Sequence, residues 1–182
     1  WAPHDIVSTY DSINDRVVIA YKDNSGYGYG YGKAVVAEVT VGSGITFGTP
    51  VIFSNSAQIY DPAITYDSTN GKVVIAYSDY GNQNYGTAVV GTVDPSNNSI
   101  GFGTPVVFES SYVGAGRKQG LEGDGISAIY DSTNEKVVIA YRDNEEPYSQ
   151  YDNPSEPTIL YSSIYGTAIV GTVDPNDNTI GF

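Results

Sequence analysis

Acidic side chains are the most numerous of those in this 182-residue chain that could act as acids, bases or metal ligands. The chain has 21 Asp and Glu residues, eight Lys and Arg residues and a formal net charge of −13. His4 is the one histidine, and there is no cysteine. A Ser-His-Asp site would need that histidine beside a nucleophile elbow, and no Gly-x-Ser-x-Gly sequence occurs. Carboxylates are abundant enough for a glycosidase pair, but nothing in the sequence singles out two of them. We therefore expect the protein not to be an enzyme.

One series of aspartates comes just before a turn, and a cation follows each turn. Asp11, Asp67 and Asp131 stand five residues before Arg16, Lys72 and Lys136 respectively. In a hairpin with a four-residue loop these positions face each other, so the pattern predicts a cross-strand ion pair that fixes the register.

A second series of aspartates, Asp23, Asp79 and Asp143, follows an apolar strand in each repeat. Carboxylate oxygens suit calcium, but one carboxylate per repeat is a thin ligand shell and no Asp-x-Asp-x-Asp-Gly loop occurs. The favoured interpretation is capping of the following turn by the Asp side chain. We expect no cofactor, with calcium as the alternative.

Tyrosines and one asparagine supply the remaining candidate contacts. The segment 26–32 reads Gly-Tyr-Gly-Tyr-Gly-Tyr-Gly, and in an extended chain Tyr27, Tyr29 and Tyr31 project to one side. Such a row suits a sugar face or a subunit interface, because each ring offers a wide contact with a polar tip. Asn97 lies in an Asn-x-Ser glycan-acceptor pattern.

The elements that carry these residues are internal repeats. Four blocks recur in a fixed order: Tyr-Asp-Ser at 10–12, 66–68 and 130–132; Val-Val-Ile-Ala-Tyr at 17–21, 73–77 and 137–141; Gly-Thr-Ala-Val-Val-Gly-Thr-Val or a close variant at 32–39, 86–93 and 166–173; and a Phe-Gly-Thr-Pro block at 45–53 and 100–108, which begins again at 180. Repeats 1, 2 and 3 therefore span residues 1–54, 55–109 and 110–182. Repeat 3 carries extra residues near 112–125 and 145–165 and lacks most of its last strand.

Each repeat predicts four short antiparallel strands, a to d, because β-branched and aromatic residues fill the blocks while Gly, Asn, Asp, Ser and Pro fill the gaps. Strand b is continuously apolar, which is typical of a strand covered on both faces. We expect an all-β protein of tandem four-stranded units like β-propeller blades. Propellers close with about 4–8 blades, so three repeats indicate either a segment of a longer array or completion by a neighbouring subunit.

The block pattern resembles uncharacterised tandem repeats of large bacterial and phage surface proteins. The resemblance covers nearly the whole chain and implies a propeller-like fold outside the cell, on a cell or virion surface. The acidic charge argues against a nucleic-acid partner, and the longest apolar runs are too short for membrane insertion. We expect an extracellular, self-associating structural or adhesive protein, forming a homo-oligomer or the subunit of a fibre or surface appendage. The alternative is a carbohydrate-binding propeller whose partners are glycans.

Overall fold

A computed structural model describes residues 4–24, 30–54, 58–114, 125–144 and 164–182. These residues form β-strands joined by turns, with a single 3₁₀ turn at Tyr80–Asn82 and no α-helix. Every strand pair is antiparallel. The prediction of an all-β protein is therefore confirmed. In the same described ranges, no helix is long and apolar enough to cross a membrane.

The three repeats contribute equivalent strands. Repeat 1 contains β1 (His4–Asp11), β2 (Arg16–Asp23), β3 (Tyr31–Thr40), β4 (Gly44–Phe47) and β5 (Val51–Ser54). Repeat 2 contains β6 (Ile59–Asp67), β7 (Lys72–Asp79), β8 (Tyr85–Asp94), β9 (Ser99–Phe102) and the start of β10 (Val106–Val113), which continues into repeat 3. Repeat 3 contains β11 (Ile126–Asp131), β12 (Lys136–Asn144), β13 (Ile164–Asp174) and β14 (Thr179–Gly181).

Strand d, one of the four strands predicted in each repeat, is interrupted in repeats 1 and 2. In repeats 1 and 2 it consists of two segments that pair with the same strand c, β4 and β5 with β3, and β9 and β10 with β8. The Gly-Thr-Pro sequence lies between the segments, where Pro50 and Pro105 remove a backbone donor. In repeat 3 the first segment, β14, pairs with β13.

The a–b turn has the same conformation in all three repeats. Asp15, Gly71 and Glu135 occupy the same turn position and all have φ between 53° and 66°. Glycine adopts this left-handed conformation without steric cost, whereas Asp and Glu have to be held in it. The Asp at the end of strand a holds it, accepting hydrogen bonds from two turn amides and from the turn Asn side chain, as Asp67 does with Thr69 and Asn70 at 2.8–3.0 Å.

The repeats pack face to face through two apolar clusters, which are the same interface formed twice. The face of a repeat that packs on the following repeat is here called the forward face, and it includes Val18, Ala20 and Val36 in repeat 1 and Val74, Ala76 and Val90 in repeat 2. The opposite face is called the backward face, and it includes Val73, Ile75 and Tyr77 in repeat 2 and Val137, Ile139 and Tyr141 in repeat 3. Strand b of repeat 2 is consequently buried on both sides.

Candidate functional site: the two outer faces

The backward face of repeat 1 exposes side chains that are buried at the equivalent positions of the other repeats. Ile45 is 58% exposed, whereas its equivalents Ile100 and Ile180 are 3% and 2% exposed. Val39 is likewise 56% exposed, against 5% for Val93. Tyr10 and Phe47 lie on the same face and are also more than half exposed. The sequence of repeat 1 thus keeps the apolar side chains of an interface that the described part of the chain leaves exposed.

The forward face of repeat 3 shows the complementary half of the interface. Val170 is 53% exposed, whereas its equivalents Val36 and Val90 are fully buried. Ala140 is exposed, and its equivalent Ala76 is fully buried in repeat 2. One end of the array therefore presents a forward face, and the other end presents a backward face.

A polar contact, here called the inter-repeat clamp, fixes the edge of each internal interface. The cation that opens strand b of one repeat donates to an Asn in the c–d turn of the next repeat. Arg16 Nε donates to Asn98 Oδ1 at 2.7 Å, and Lys72 Nζ donates to Asn178 Oδ1 at 2.7 Å. Lys72 also donates to the Thr92 hydroxyl of its own repeat at 2.7 Å. Charged donors make the stronger class of hydrogen bond, so the clamp fixes the register of one repeat on the next.

Glycine allows the close approach that the clamp requires. A Cβ added to Gly48 would lie 1.8 Å from the Asn98 carbonyl oxygen, and one added to Gly103 would lie 2.1 Å from the Asn178 oxygen. Both asparagines have φ near 55°, the left-handed conformation in which Asn is enriched. Both halves of the clamp therefore depend on residue types with unusual backbone freedom.

The outer faces carry only one half of this clamp. Lys136 occupies the cation position of repeat 3, and its side chain makes no hydrogen bond or ion pair with any described residue. The c–d turn of repeat 1 is one residue shorter and has Ser43 and Gly44 where the other repeats have Asn. The two ends consequently match in their apolar residues but not in their polar ones.

Tyrosine hydroxyls lie within both internal interfaces. Tyr141 donates to Glu109 of the preceding repeat at 2.9 Å. Burial is the main cause that raises the pKa of Tyr141 well above the ordinary value, and the Glu109 hydrogen bond and charge add to it. Burial also raises the pKa values of Tyr77 and Tyr66 strongly. The raised pKa values favour the neutral form of these phenols in the interfaces.

The predicted cross-strand ion pairs are wrong, although the predicted register is right. Asp11 lies opposite Arg16, as Asp67 does opposite Lys72 and Asp131 opposite Lys136. Each carboxylate instead accepts hydrogen bonds from its own turn; those made by the Asp131 turn lower the pKa of Asp131. Arg16 and Lys72 turn away toward the next repeat. The turn amides satisfy the carboxylate locally, which leaves these two cations available for the clamp.

The second Asp series does not converge on one site. Asp79 caps the 3₁₀ turn by accepting from the Gly81 amide at 3.0 Å, which agrees with the predicted capping role. Asp23 instead forms an ion pair with Lys33, and Asp143 accepts from the Ser111 hydroxyl at 2.6 Å. No cluster of three or more His, Cys, Asp or Glu side chains occurs within the described residues. Calcium binding stays an untested alternative.

The Tyr-rich segment, residues 26–32, lies only partly within the described residues. Tyr27 and Tyr29 lie outside the described residues, and Tyr31 is half-buried at the start of β3, opposite Asp23. Asn97 is exposed in the β8–β9 turn, where its side chain accepts from the Ser99 amide at 3.0 Å. The interface or ligand role of the tyrosines and the glycan on Asn97 stay predictions. The insertions of repeat 3 fall largely outside the described ranges.

Sequence reasoning missed the asparagines of the clamp. Asn98 and Asn178 lie 82 and 106 residues from their cation partners, and nothing local indicates that contact. An alignment of the c–d turns could have found them. Repeats 2 and 3, which each follow another repeat, have Asn98 and Asn178 at the same position near the end of this turn.

Comparison with known proteins identifies the fold only. No protein-family model matches the chain, and no curated protein does. Among solved structures, the chain is similar to the crystal structure of alpha-L-arabinofuranosidase from Lactobacillus brevis, with a TM-score of 0.50 and 17% sequence identity. The match covers all of this chain and 55% of that one, so the chain spans about half of that structure.

Proposed function

We propose that this chain is a self-associating structural module, in which the forward face of repeat 3 docks on the backward face of repeat 1 of a second copy. One observation carries the proposal. The chain forms the same interface twice internally, and it exposes the two halves of that interface at its ends, a backward face on repeat 1 and a forward face on repeat 3. At the two internal interfaces, a face of the same kind is covered by another repeat of this chain.

The proposed arrangement is propeller-like. Strands a of neighbouring repeats lie closest together, since β1 contacts β6 and β6 contacts β11, as expected for strands around a common axis. Propellers close with about 4–8 blades. Two copies would supply six repeats and three copies nine, so the closed assembly we propose is a dimer. If the head-to-tail rotation does not close, the same contact builds a filament.

The proposed role is structural or adhesive, without a catalytic step, and outside the cell. The absence of cysteine and methionine agrees with an oxidising setting, in which thiols and thioethers are readily modified. A net charge of −13 on each copy opposes association. Raising the salt concentration should therefore strengthen the contact, because its attraction is apolar and its repulsion is electrostatic.

Sedimentation velocity over a wide range of protein concentration tests the proposal. A mass of two copies supports the closed ring, and concentration-dependent polymers that appear as fibres by electron microscopy support the filament. A monomer at all concentrations and salt strengths would refute self-association.

Carbohydrate binding is the second candidate. The observation that favours it is the fold shared with a structure named as an arabinofuranosidase. The proposed contacts are Tyr27, Tyr29 and Tyr31. Retention of the protein on arabinofuranosyl-containing glycans, lost when these three tyrosines are replaced by alanine, would support it. No retention on any glycan would remove this candidate.

A further inference from the structure

The outer edge of β13 differs from the equivalent edges of β3 and β8. In repeats 1 and 2 the second segment of strand d covers that edge, with Val51 opposite Ala34 and Val106 opposite Ala88. In repeat 3 the equivalent stretch, residues 165–168, pairs with β12 on one side, and no described strand pairs with its other side. A row of backbone donors and acceptors at a sheet edge is a template for an added strand.

A glycine in each strand c forms a seat for an aromatic ring of that covering segment. A Cβ on Gly32 would lie 2.4 Å from the Phe53 ring, and a Cβ on Gly86 would lie 2.4 Å from the Phe108 ring. The equivalent Gly166 has no described atom within 4 Å of its Cβ position. Repeat 3 therefore keeps the glycine that admits the ring, and the described residues leave the space beside it open.

A half-buried cation lies in the row beside this open seat. Arg142 is opposite Gly166 in the β12–β13 register, and its Nε is buried without a hydrogen-bond partner among the described residues. In repeat 2 the residue that pairs with the seat glycine is Glu109, directly after the Phe. An acidic residue at that place on an added strand would lie in the same cross-strand row as the guanidinium, which favours a carboxylate there.

We infer that the outer edge of β13 is an acceptor site for an extended strand of the type Thr-Pro-Val-x-Phe followed by an acidic residue. Backbone pairing with residues 165–168 supplies the affinity, and the Phe ring on Gly166 and the carboxylate near Arg142 supply the specificity. This edge adjoins the forward face of repeat 3, since the equivalent rings of Phe53 and Phe108 belong to the two interface clusters. The strand site is nevertheless tested separately from the proposed self-association, because a free peptide is the ligand.

The test uses the full chain and a fluorescent peptide with the sequence of residues 103–111 of this protein. We expect saturable binding by fluorescence anisotropy and slower amide hydrogen exchange within residues 165–168. A peptide with Ala in place of the Phe should bind at least about tenfold more weakly, since the ring carries most of the buried apolar surface. A peptide with Gln in place of the Glu should also bind more weakly.

Gly166→Val, which fills the seat, should weaken the parent peptide at least about tenfold without unfolding the protein, because its Cβ meets no described atom. Gly181→Val is the matched control: its Cβ position is equally open, it lies in the same repeat, and binding should be unchanged. The inference is overturned if the peptide does not bind at about 1 mM. It is also overturned if the Ala peptide binds as tightly as the parent, or if both Val variants bind alike. Because the readout is peptide binding, a monomeric protein that binds the peptide would refute only the self-association.

Discussion

Ile45→Asp is the sharpest perturbation of the proposed contact between copies. Ile45 lies in β4 on the backward face of repeat 1 and is 58% exposed. When the interface forms inside the chain, the equivalent Ile100 becomes 3% exposed. Docking of a second copy should therefore remove more than half of the Ile45 side chain from water, while the folding of a single copy leaves it exposed.

The magnitude follows from that change in burial. Covering about half of an isoleucine side chain contributes about 1 kcal/mol, since complete burial contributes about 1.5–3 kcal/mol. An Asp there would also place a carboxylate without a partner in the interface, at a cost of about 3 kcal/mol. Together these effects amount to about 4 kcal/mol, which weakens association about a thousandfold at 1.4 kcal/mol per factor of ten.

The matched control is Ile52→Asp. Ile52 is 49% exposed and lies in the same repeat, but its equivalent in repeat 2, Val107, stays 43% exposed although that interface is formed. Sedimentation equilibrium should show weakened association for Ile45→Asp and ordinary association for Ile52→Asp, with urea unfolding of the monomer unchanged in both. Equal association of the two variants would refute the docking geometry.

Three further perturbations test the internal interfaces. Lys72→Ala removes two charge-assisted hydrogen bonds of the clamp and should lower the free energy of unfolding in urea by about 1–3 kcal/mol, whereas Lys136→Ala should change it little. Gly86→Ala forces a Cβ against an aromatic ring and should cost about 1–3 kcal/mol in the same assay, whereas Gly166→Ala should be tolerated. The raised pKa of Tyr77 predicts full stability below the ordinary tyrosine pKa of about 10 and its progressive loss at higher pH, with a smaller loss in Tyr77→Phe.

Each comparison has an opposite outcome. Equal losses at Lys72 and Lys136 would show that the clamp contributes nothing beyond the cation itself. A tolerated Gly86→Ala would show that the ring can move away from strand c. An alkaline unfolding curve that is the same in Tyr77→Phe would assign the pH dependence to other groups; Tyr80→Phe, at a 41% exposed side chain, is the control for the substitution itself.

The strands and their register could be predicted because they depend on neighbours in the sequence. The Asp-to-cation spacing of five residues sets the a–b hairpin register, and Asp11 does lie opposite Arg16. The continuous apolar run of strand b predicts cover on both faces, and Val74 and Ile75 are indeed both fully buried. The same run in repeat 1 is covered on one face only, although its sequence is the same. The burial of strand b therefore depends on the position of its repeat in the array, and a local sequence pattern does not contain that information.

The polar contacts could not be predicted for a related reason. An Asp and a cation that face each other across a hairpin indicate an ion pair, and only the three-dimensional arrangement shows that turn amides and an asparagine of the next repeat compete for them. Asn98 satisfies Arg16 from 82 residues away, and it does so with a left-handed backbone that a turn position provides. Contacts between repeats thus use residues that look like ordinary turn formers in the sequence.

The two outer faces match in their apolar side chains but lack a complete polar clamp, and this should weaken the proposed junction between copies. A junction between copies would bury the same kinds of apolar side chains as an internal junction, but Lys136 would meet a shorter turn that has no Asn. The internal clamps donate to Asn from buried or nearly buried cations, and hydrogen bonds of that class contribute about 1.5–3 kcal/mol each. The junction between copies should therefore be the weakest interface in the assembly and the first to open on dilution, while the three-repeat unit stays folded. That order of stability is what a reversible building unit requires, because assembly and disassembly can then proceed without unfolding.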